Sequence, residues 1–167
     1  MSLAKAEDSQ PLISVCVPVY NGSAHLGESL SSIENQTYAN IEICISDDGS
    51  RDGSIELVEN FNRISKFATV FYRNSLLGIA GNCNFLIEKA RGAYIKFLFQ
   101  DDLLEPTCIE KLAGPAIFDK EIRLVFSERK LQLDSPKNLF CQRINEGCRN
   151  LPNHWSNLRH IQKGHEL

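Results

Sequence analysis

Short apolar runs that stop abruptly at polar residues constrain this chain more than any other feature. Leu12-Ile13-Ser14-Val15-Cys16-Val17-Pro18 is nearly continuous and rich in β-branched residues, the pattern of a strand covered on both faces, and Asn21-Gly22 breaks it. Residues 41–45 (IEICI) form a second run that leads into Ser46-Asp47-Asp48-Gly49-Ser50. Residues 68–72 make a third, shorter strand, and residues 94–99 a fourth that runs into Gln100-Asp101-Asp102.

Helical patterns fill the intervals. Ser23 can cap a helix with Leu26, Leu30 and Ile33 on one face. Ile55, Val58 and Phe61 mark a second helix, with Ser50 as a cap and Asp52 near its positive end. Over 78–90, Cys83, Leu86, Ile87 and Ala90 fall at i, i+3, i+4 and i+7, and Arg91-Gly92 closes the helix with a glycine stop. Thr107-Cys108-Ile109-Glu110 fits a capping box and predicts a helix to about Phe118. A fifth strand is expected within 123–133.

Strands alternating with helices imply a mainly parallel sheet with right-handed crossovers, an α/β/α sandwich of Rossmann-like type. Such sheets bind ligands beyond the carboxyl ends of their strands. Tyr20-Asn21, Asp47-Asp48 and Asp101-Asp102 follow three different strands, so all three are aimed at one edge of the sheet. Residues 1–10 read as a flexible tail without the apolar core of a secretory signal, 11–133 as the domain, and 134–167 as an irregular segment.

Composition narrows the partners. At 167 residues the chain is long enough for one domain with a core, and a net charge of −3 gives no basic field for nucleic acid. No stretch approaches the roughly 20 apolar residues of a membrane span. The six cysteines show no CxxC pair and read as free thiols of a reducing compartment, although Cys141 and Cys148 could pair. His154, His160 and His165 match no metal-ligand spacing and read as solvated.

Two adjacent acids at a strand's mouth suit a divalent cation, since Mg²⁺ or Mn²⁺ binds through one or two carboxylates plus substrate phosphates. One aspartate can hold the ion while the other orders a sugar hydroxyl or a water. A lone Asp-Asp is more often a solvated turn; the other two strand ends weigh against that here. An acid of the Asp47-Asp48 pair can accept from a nucleobase N–H or a ribose hydroxyl, Tyr20 can stack on a base, and Asn21 can support the turn. No GxGxxG or Walker loop is present, against other doubly wound nucleotide binders.

The ordered set of strand-P-x-Y-N, Q-T-Y, D-D-G-S-x-D-G-S and strand-x-D-D resembles the N-terminal part of a family 2 glycosyltransferase with the GT-A fold, over about residues 11–106 and more loosely to 133. The resemblance implies a nucleotide-diphosphate sugar, often a UDP-sugar, with Mn²⁺ or Mg²⁺, and an inverting reaction in polysaccharide biosynthesis. By position it places Pro18, Val19, Tyr20, Asn21, Asp48, Gly78, Asn84 and Asp101 at the donor. The metal falls to the Asp101-Asp102 pair, to Asp102 first, with Asp101 toward the sugar. Phe99 and Gln100 stand where the family more commonly has D-x before the aspartate pair.

The family's general base lies well beyond its metal motif. Glu146 and Glu166 are the only acids after Asp134, neither in a persuasive context, so the base is assigned to no residue and the chain reads as truncated on its C-terminal side. The alternative is a catalytically incomplete nucleotide-sugar-binding or regulatory module. The acceptor, a glycan or lipid, is unknown. The expected location is cytoplasmic, at or near the inner membrane face, and a truncated sheet flank would favour self-association.

Overall fold

A computed structural model describes residues 10–127. Within them the order is β1 (Ile13–Val19), α1 (Leu26–Glu34), β2 (Ile41–Asp47), α2 (Ser54–Ile64), β3 (Ala68–Arg73), α3 (Gly78–Lys89), β4 (Tyr94–Phe97) and α4 (Cys108–Phe118). The four strands form one parallel sheet in the order β3-β2-β1-β4. All seven residues of β1 and all seven of β2 are buried, the apolar majority as a strand covered on both faces requires and the polar Ser14, Glu42, Ser46 and Asp47 along with them.

The strand order explains the layers. From β1 to β3 the chain moves one way across the sheet, and Leu26, Leu30 and Ile33 of α1 join Val58 and Phe61 of α2 against Val15, Val17, Ile43 and Ile45. It then reverses to place β4 on the far side of β1. A crossover that keeps its hand must change face when it changes direction. Accordingly Leu86 of α3 packs on Cys16 and Cys44, which point to the opposite face. Ile109 and Ala113 of α4 return to the first face. The reversal creates a switch point between the ends of β1 and β4, the place where such sheets hold ligands.

Several local expectations need correction. Pro18 does not end β1, which runs on to Val19 and stays in register with β2. It ends only the ladder to β4. The Leu98 N–H still donates to the Cys16 carbonyl at 3.0 Å, but the next rung would need an N–H that proline lacks, and β4 stops at Phe97 rather than Phe99. Ser23, Ser50 and Thr107 make no side-chain cap. Ser50 Oγ instead accepts from the Asn21 N–H at 2.8 Å. Thr37 Oγ1 donates to Glu110 Oε2 at 2.6 Å, so the capping box does not close. Asp52 does occupy the start of α2, accepting from the Ser54 N–H at 3.1 Å and hydroxyl at 2.6 Å.

On α3 the buried positions are Asn82 and Leu86, while Ile87 is exposed, so the apolar stripe is rotated from the predicted one. Gly92 is not a left-handed stop. It is needed because a Cβ there would lie 2.6 Å from the Ser14 nitrogen and 2.8 Å from the Leu12 carbonyl oxygen. Residues 123–127 are not strand. The rest of the expected fifth strand, residues 1–9, Cys141, Cys148, Glu146, Glu166 and the three C-terminal histidines lie outside the described residues. No described helix is long and apolar enough to cross a membrane.

Candidate functional site

A cavity of about 560 Å³ opens at the switch point. Pro18, Val19 and Tyr20 from the end of β1, Asp48 after β2, Leu76, Gly78, Ile79 and Asn82 around the start of α3, and Phe99, Gln100 and Asp101 after β4 line it. Residues up to 83 positions apart in sequence are thereby brought to one place, as the sheet edge requires.

Its first wall is fixed by Gln100. The side-chain amide accepts from the Tyr20 N–H at 2.9 Å and donates to the Tyr20 carbonyl at 3.1 Å. This pair of hydrogen bonds to one residue joins the end of β1 to the turn after β4 and leaves Tyr20 half-exposed at the cavity. Gly22 makes room for it, since a Cβ there would fall 2.3 Å from Gln100 Oε1. The Ser29 hydroxyl from α1 lies 3.0 and 2.8 Å from the carbonyl oxygens of Phe99 and Asp102, anchoring the turn that carries both aspartates.

The second wall is organised by Asp48. Its buried carboxylate accepts from the Leu77 N–H at 2.6 Å and the Gly78 N–H at 2.8 Å, and its carbonyl from the Leu76 N–H at 3.4 Å. An acid at the first turn of α3 also meets the helix's positive end. Wrapping the 76–78 segment around one residue drives Leu76 to φ +54 and Gly78 to φ +70, the left-handed region. Glycine adopts it freely; a leucine is strained there by an amount on the order of 1–3 kcal/mol. Asn82 Nδ2 donates to the Ser46 carbonyl at 2.9 Å, while its buried Oδ1 has no hydrogen-bond partner among the described residues.

Of the residues singled out from sequence, Pro18, Val19, Tyr20, Asp48, Gly78 and Asp101 line this cavity. Asn21, Asn84 and Asp102 do not. Asn21 supports the turn, its N–H on Ser50 Oγ and its Oδ1 accepting from the Arg51 N–H at 2.9 Å, in a left-handed conformation that asparagine tolerates. Asn84 is exposed on α3, two positions from the cavity-facing Asn82. Asp102 lies beside Asp101 in the turn, its N–H donating to the Phe99 carbonyl at 3.0 Å. Asp47 turns inward, with Oδ2 accepting from the Gly49 and Ser50 N–H groups at 3.0 Å each. Sequence reasoning missed Leu76, Ile79, Asn82 and the part played by Gln100. Among the described residues no three His, Cys, Asp or Glu side chains form a ready metal cluster.

These features define a doubly wound α/β domain with a cavity at its switch point, and comparison specifies which. The sequence profile of glycosyl transferase family 2 matches residues 14–138, and the chain belongs to that family. An uncharacterized glycosyltransferase of Haemophilus influenzae is 41% identical over 103 residues, 62% of this chain and 41% of that protein. Among solved structures, S. aureus TarS 1-349 in complex with UDP superimposes with a TM-score of 0.58 at 24% identity, covering 63% of this chain and 32% of that one. The mannosyltransferase PcManGT from Pyrobaculum calidifontis, in complex with GDP-Man and Mn²⁺, gives 0.60 at 24% identity, covering 68% and 34%. The GT-A fold expected from the sequence is thus shown. The chain spans less than half the length of the relatives it matches.

Proposed function

We propose that this chain is the donor-binding part of a glycosyltransferase that takes its sugar from a nucleotide-diphosphate donor, a UDP-sugar first, and passes it with inversion to a glycan or lipid acceptor. The observation that carries the reading is the cavity at the β1/β4 switch point that joins Pro18, Val19 and Tyr20 to Asp48, Gly78 and Asp101. Its volume suits a nucleoside-sized ligand. The neighbours that hold UDP, or GDP-Man with Mn²⁺, support the choice of ligand class.

In this reading the Tyr20 ring offers a face to the base, and Asp48 offers carboxylate oxygen to a base N–H or a ribose hydroxyl. Its two backbone hydrogen bonds preorganise that oxygen before the ligand arrives. Asp101 stands exposed at the cavity with Asp102 next in the same turn. One or two carboxylates completed by phosphate oxygens and water is the donor set of Mg²⁺ or Mn²⁺, so these residues fit the ion without a protein cage. Bound there, the ion would offset charge on the departing diphosphate. We place the protein in the cytoplasm near the inner membrane face, consistent with the free thiols of Cys16, Cys44, Cys83 and Cys108.

Calorimetry with UDP and GDP, with and without Mn²⁺, tests the reading on the wild type and on Asp101→Ala and Asp102→Ala. Mn²⁺ should strengthen binding, Asp102→Ala should remove most of that gain, and Asp101→Ala should reduce it. UDP release from a UDP-sugar in the presence of acceptor would show transfer; binding without release would point to a module that recognises donor alone. Failure of both nucleotides to bind, with or without the ion, would sink the proposal.

A further inference from the structure

Leu76 is poorly explained as a structural residue. Its left-handed backbone, φ +54, is imposed by the three consecutive N–H groups that close on Asp48. That requirement fixes the backbone and leaves the side chain open, and glycine or asparagine would meet it with less strain. Packing does not favour leucine either, because Leu76 is 80% exposed. What the side chain does have is a place on the wall of the cavity, with Ile79 beside it in the same lining as Tyr20.

We infer that Leu76 is a ligand-contacting residue that, together with Tyr20, holds the flat heterocyclic base of the nucleoside diphosphate. The inference rests on the donor-binding reading above. The sheet order carries the assignment to the base. The segment 74–78 follows β3 and reaches over the end of β2, whereas Asp101 follows β4 on the other side of β1. A diphosphate bound toward Asp101 puts the opposite end of the nucleotide toward Asp48 and Leu76. Sugars and phosphates present hydroxyls and charge, so an exposed leucine gains little from them. A base offers two apolar faces and a polar edge, which suits an apolar side chain and an aromatic ring beside a carboxylate. Covering Leu76 on binding removes apolar surface from water, a gain that the strained backbone does not supply in the free protein.

The experiment compares Leu76→Gly and Leu76→Asn with wild type, measuring affinity for UDP and for inorganic pyrophosphate in Mn²⁺ together with the melting midpoint. Both variants should bind UDP about tenfold more weakly, as loss of a buried aliphatic contact implies. Pyrophosphate affinity should hold within about twofold, and Leu76→Gly should melt no lower than wild type, since its left-handed backbone is unstrained. Unchanged UDP affinity in the variants overturns the inference. So does parallel weakening of UDP and pyrophosphate, which would mean that the loop merely lost its shape. A wild type that binds pyrophosphate but no nucleotide removes the donor reading itself, whereas wild-type UDP binding with indifferent variants removes this inference alone.

Discussion

Gln100 holds Tyr20 by both ends of its amide, accepting from the backbone N–H at 2.9 Å and donating to the carbonyl at 3.1 Å. β1, which leads into Tyr20, has no ladder to β4 beyond Cys16 and Leu98, because Pro18 cannot donate. The clasp therefore stands in for the missing rung. Gln100→Glu retains the acceptor and loses the donor, while Gln100→Ala loses both. The expected cost is about 1 kcal/mol for each hydrogen bond removed, so urea midpoints should fall in the order wild type, Glu, Ala. UDP affinity should follow the same order, because the Tyr20 ring is positioned by that backbone. A glutamate variant as stable as wild type would show that the donated bond contributes nothing.

Asp48 serves the fold and the proposed site at once, and the two parts can be separated. Asp48→Asn keeps the shape and one acceptor but turns an NH₂ group toward the Leu77 or Gly78 N–H, leaving a donor facing a donor. Loss of about 1–3 kcal/mol in global stability is expected for that mismatch. Native-state hydrogen exchange should speed up first at Leu77 and Gly78, the start of α3. Protection at those two amides equal to wild type would contradict the role given to the carboxylate.

How far the sequence revealed this arrangement depends on the reach of each rule. β1 and β2 were legible because a strand covered on both faces reads as a nearly continuous apolar run, although each runs past its expected end, to Val19 and Asp47, and β2 also buries Glu42, Ser46 and Asp47. The helix at 54–64 was legible by periodicity and that at 108–118 through a capping-box signature, but the caps themselves did not form as expected. Ser50 and Thr107 have suitable side chains at suitable places, yet Ser50 is taken by Asn21, 29 positions away, and Glu110 by Thr37, 73 positions away. Local spacing cannot register such competition. The same limit hid Gln100, whose partner lies 80 positions earlier. On α3, two stripes were available, one through Cys83, Leu86, Ile87 and Ala90 and one through Asn82 and Leu86. The helix face was decided by where the Ser46 carbonyl and the sheet lie, which is a property of the strand order rather than of the helix.

A buried acid away from the cavity gives a pH signature. Glu42, 1% exposed, accepts from the Ser14 hydroxyl at 2.6 Å, the Arg91 N–H at 2.7 Å and Arg91 Nε at 2.8 Å, with Nη2 at 2.7 Å. Burial pushes its pKa up, but the hydrogen bonds from Ser14 and Arg91 and the guanidinium charge together outweigh burial, and the net direction is down. A folded-state value below the unfolded one means that the unfolded chain binds the extra proton. The contribution is then full above the ordinary glutamate range and is lost as pH falls through the lowered folded value. Glu42→Gln should cost about 1–2 kcal/mol at pH 7 and flatten the acid limb of the stability curve. Equal slopes for variant and wild type below pH 5 would refute the linkage.

Glycine substitutions offer a final contrast, because two glycines of this chain face opposite surroundings. Gly92 links α3 to β4 where the chain passes against β1, its N–H donating to Ser14 Oγ at 2.8 Å. An added Cβ would meet the Ser14 nitrogen at 2.6 Å, Ser14 Oγ at 2.7 Å and the Leu12 carbonyl at 2.8 Å. Two of these are backbone atoms of β1 or the residue before it, which cannot swing aside without moving the central strand. Gly92→Ala should therefore destabilise by at least about 1–3 kcal/mol, the range for overpacking a tight interior. Gly27, in the first turn of α1, has nothing within 4 Å of its would-be Cβ. Gly27→Ala should raise stability by up to about 0.5–1 kcal/mol through the better helix propensity of alanine. Thermal unfolding of the two variants should bracket the wild type. A Gly92→Ala protein that melts with wild type would mean that the contact between the α3–β4 link and β1 is looser than these distances require.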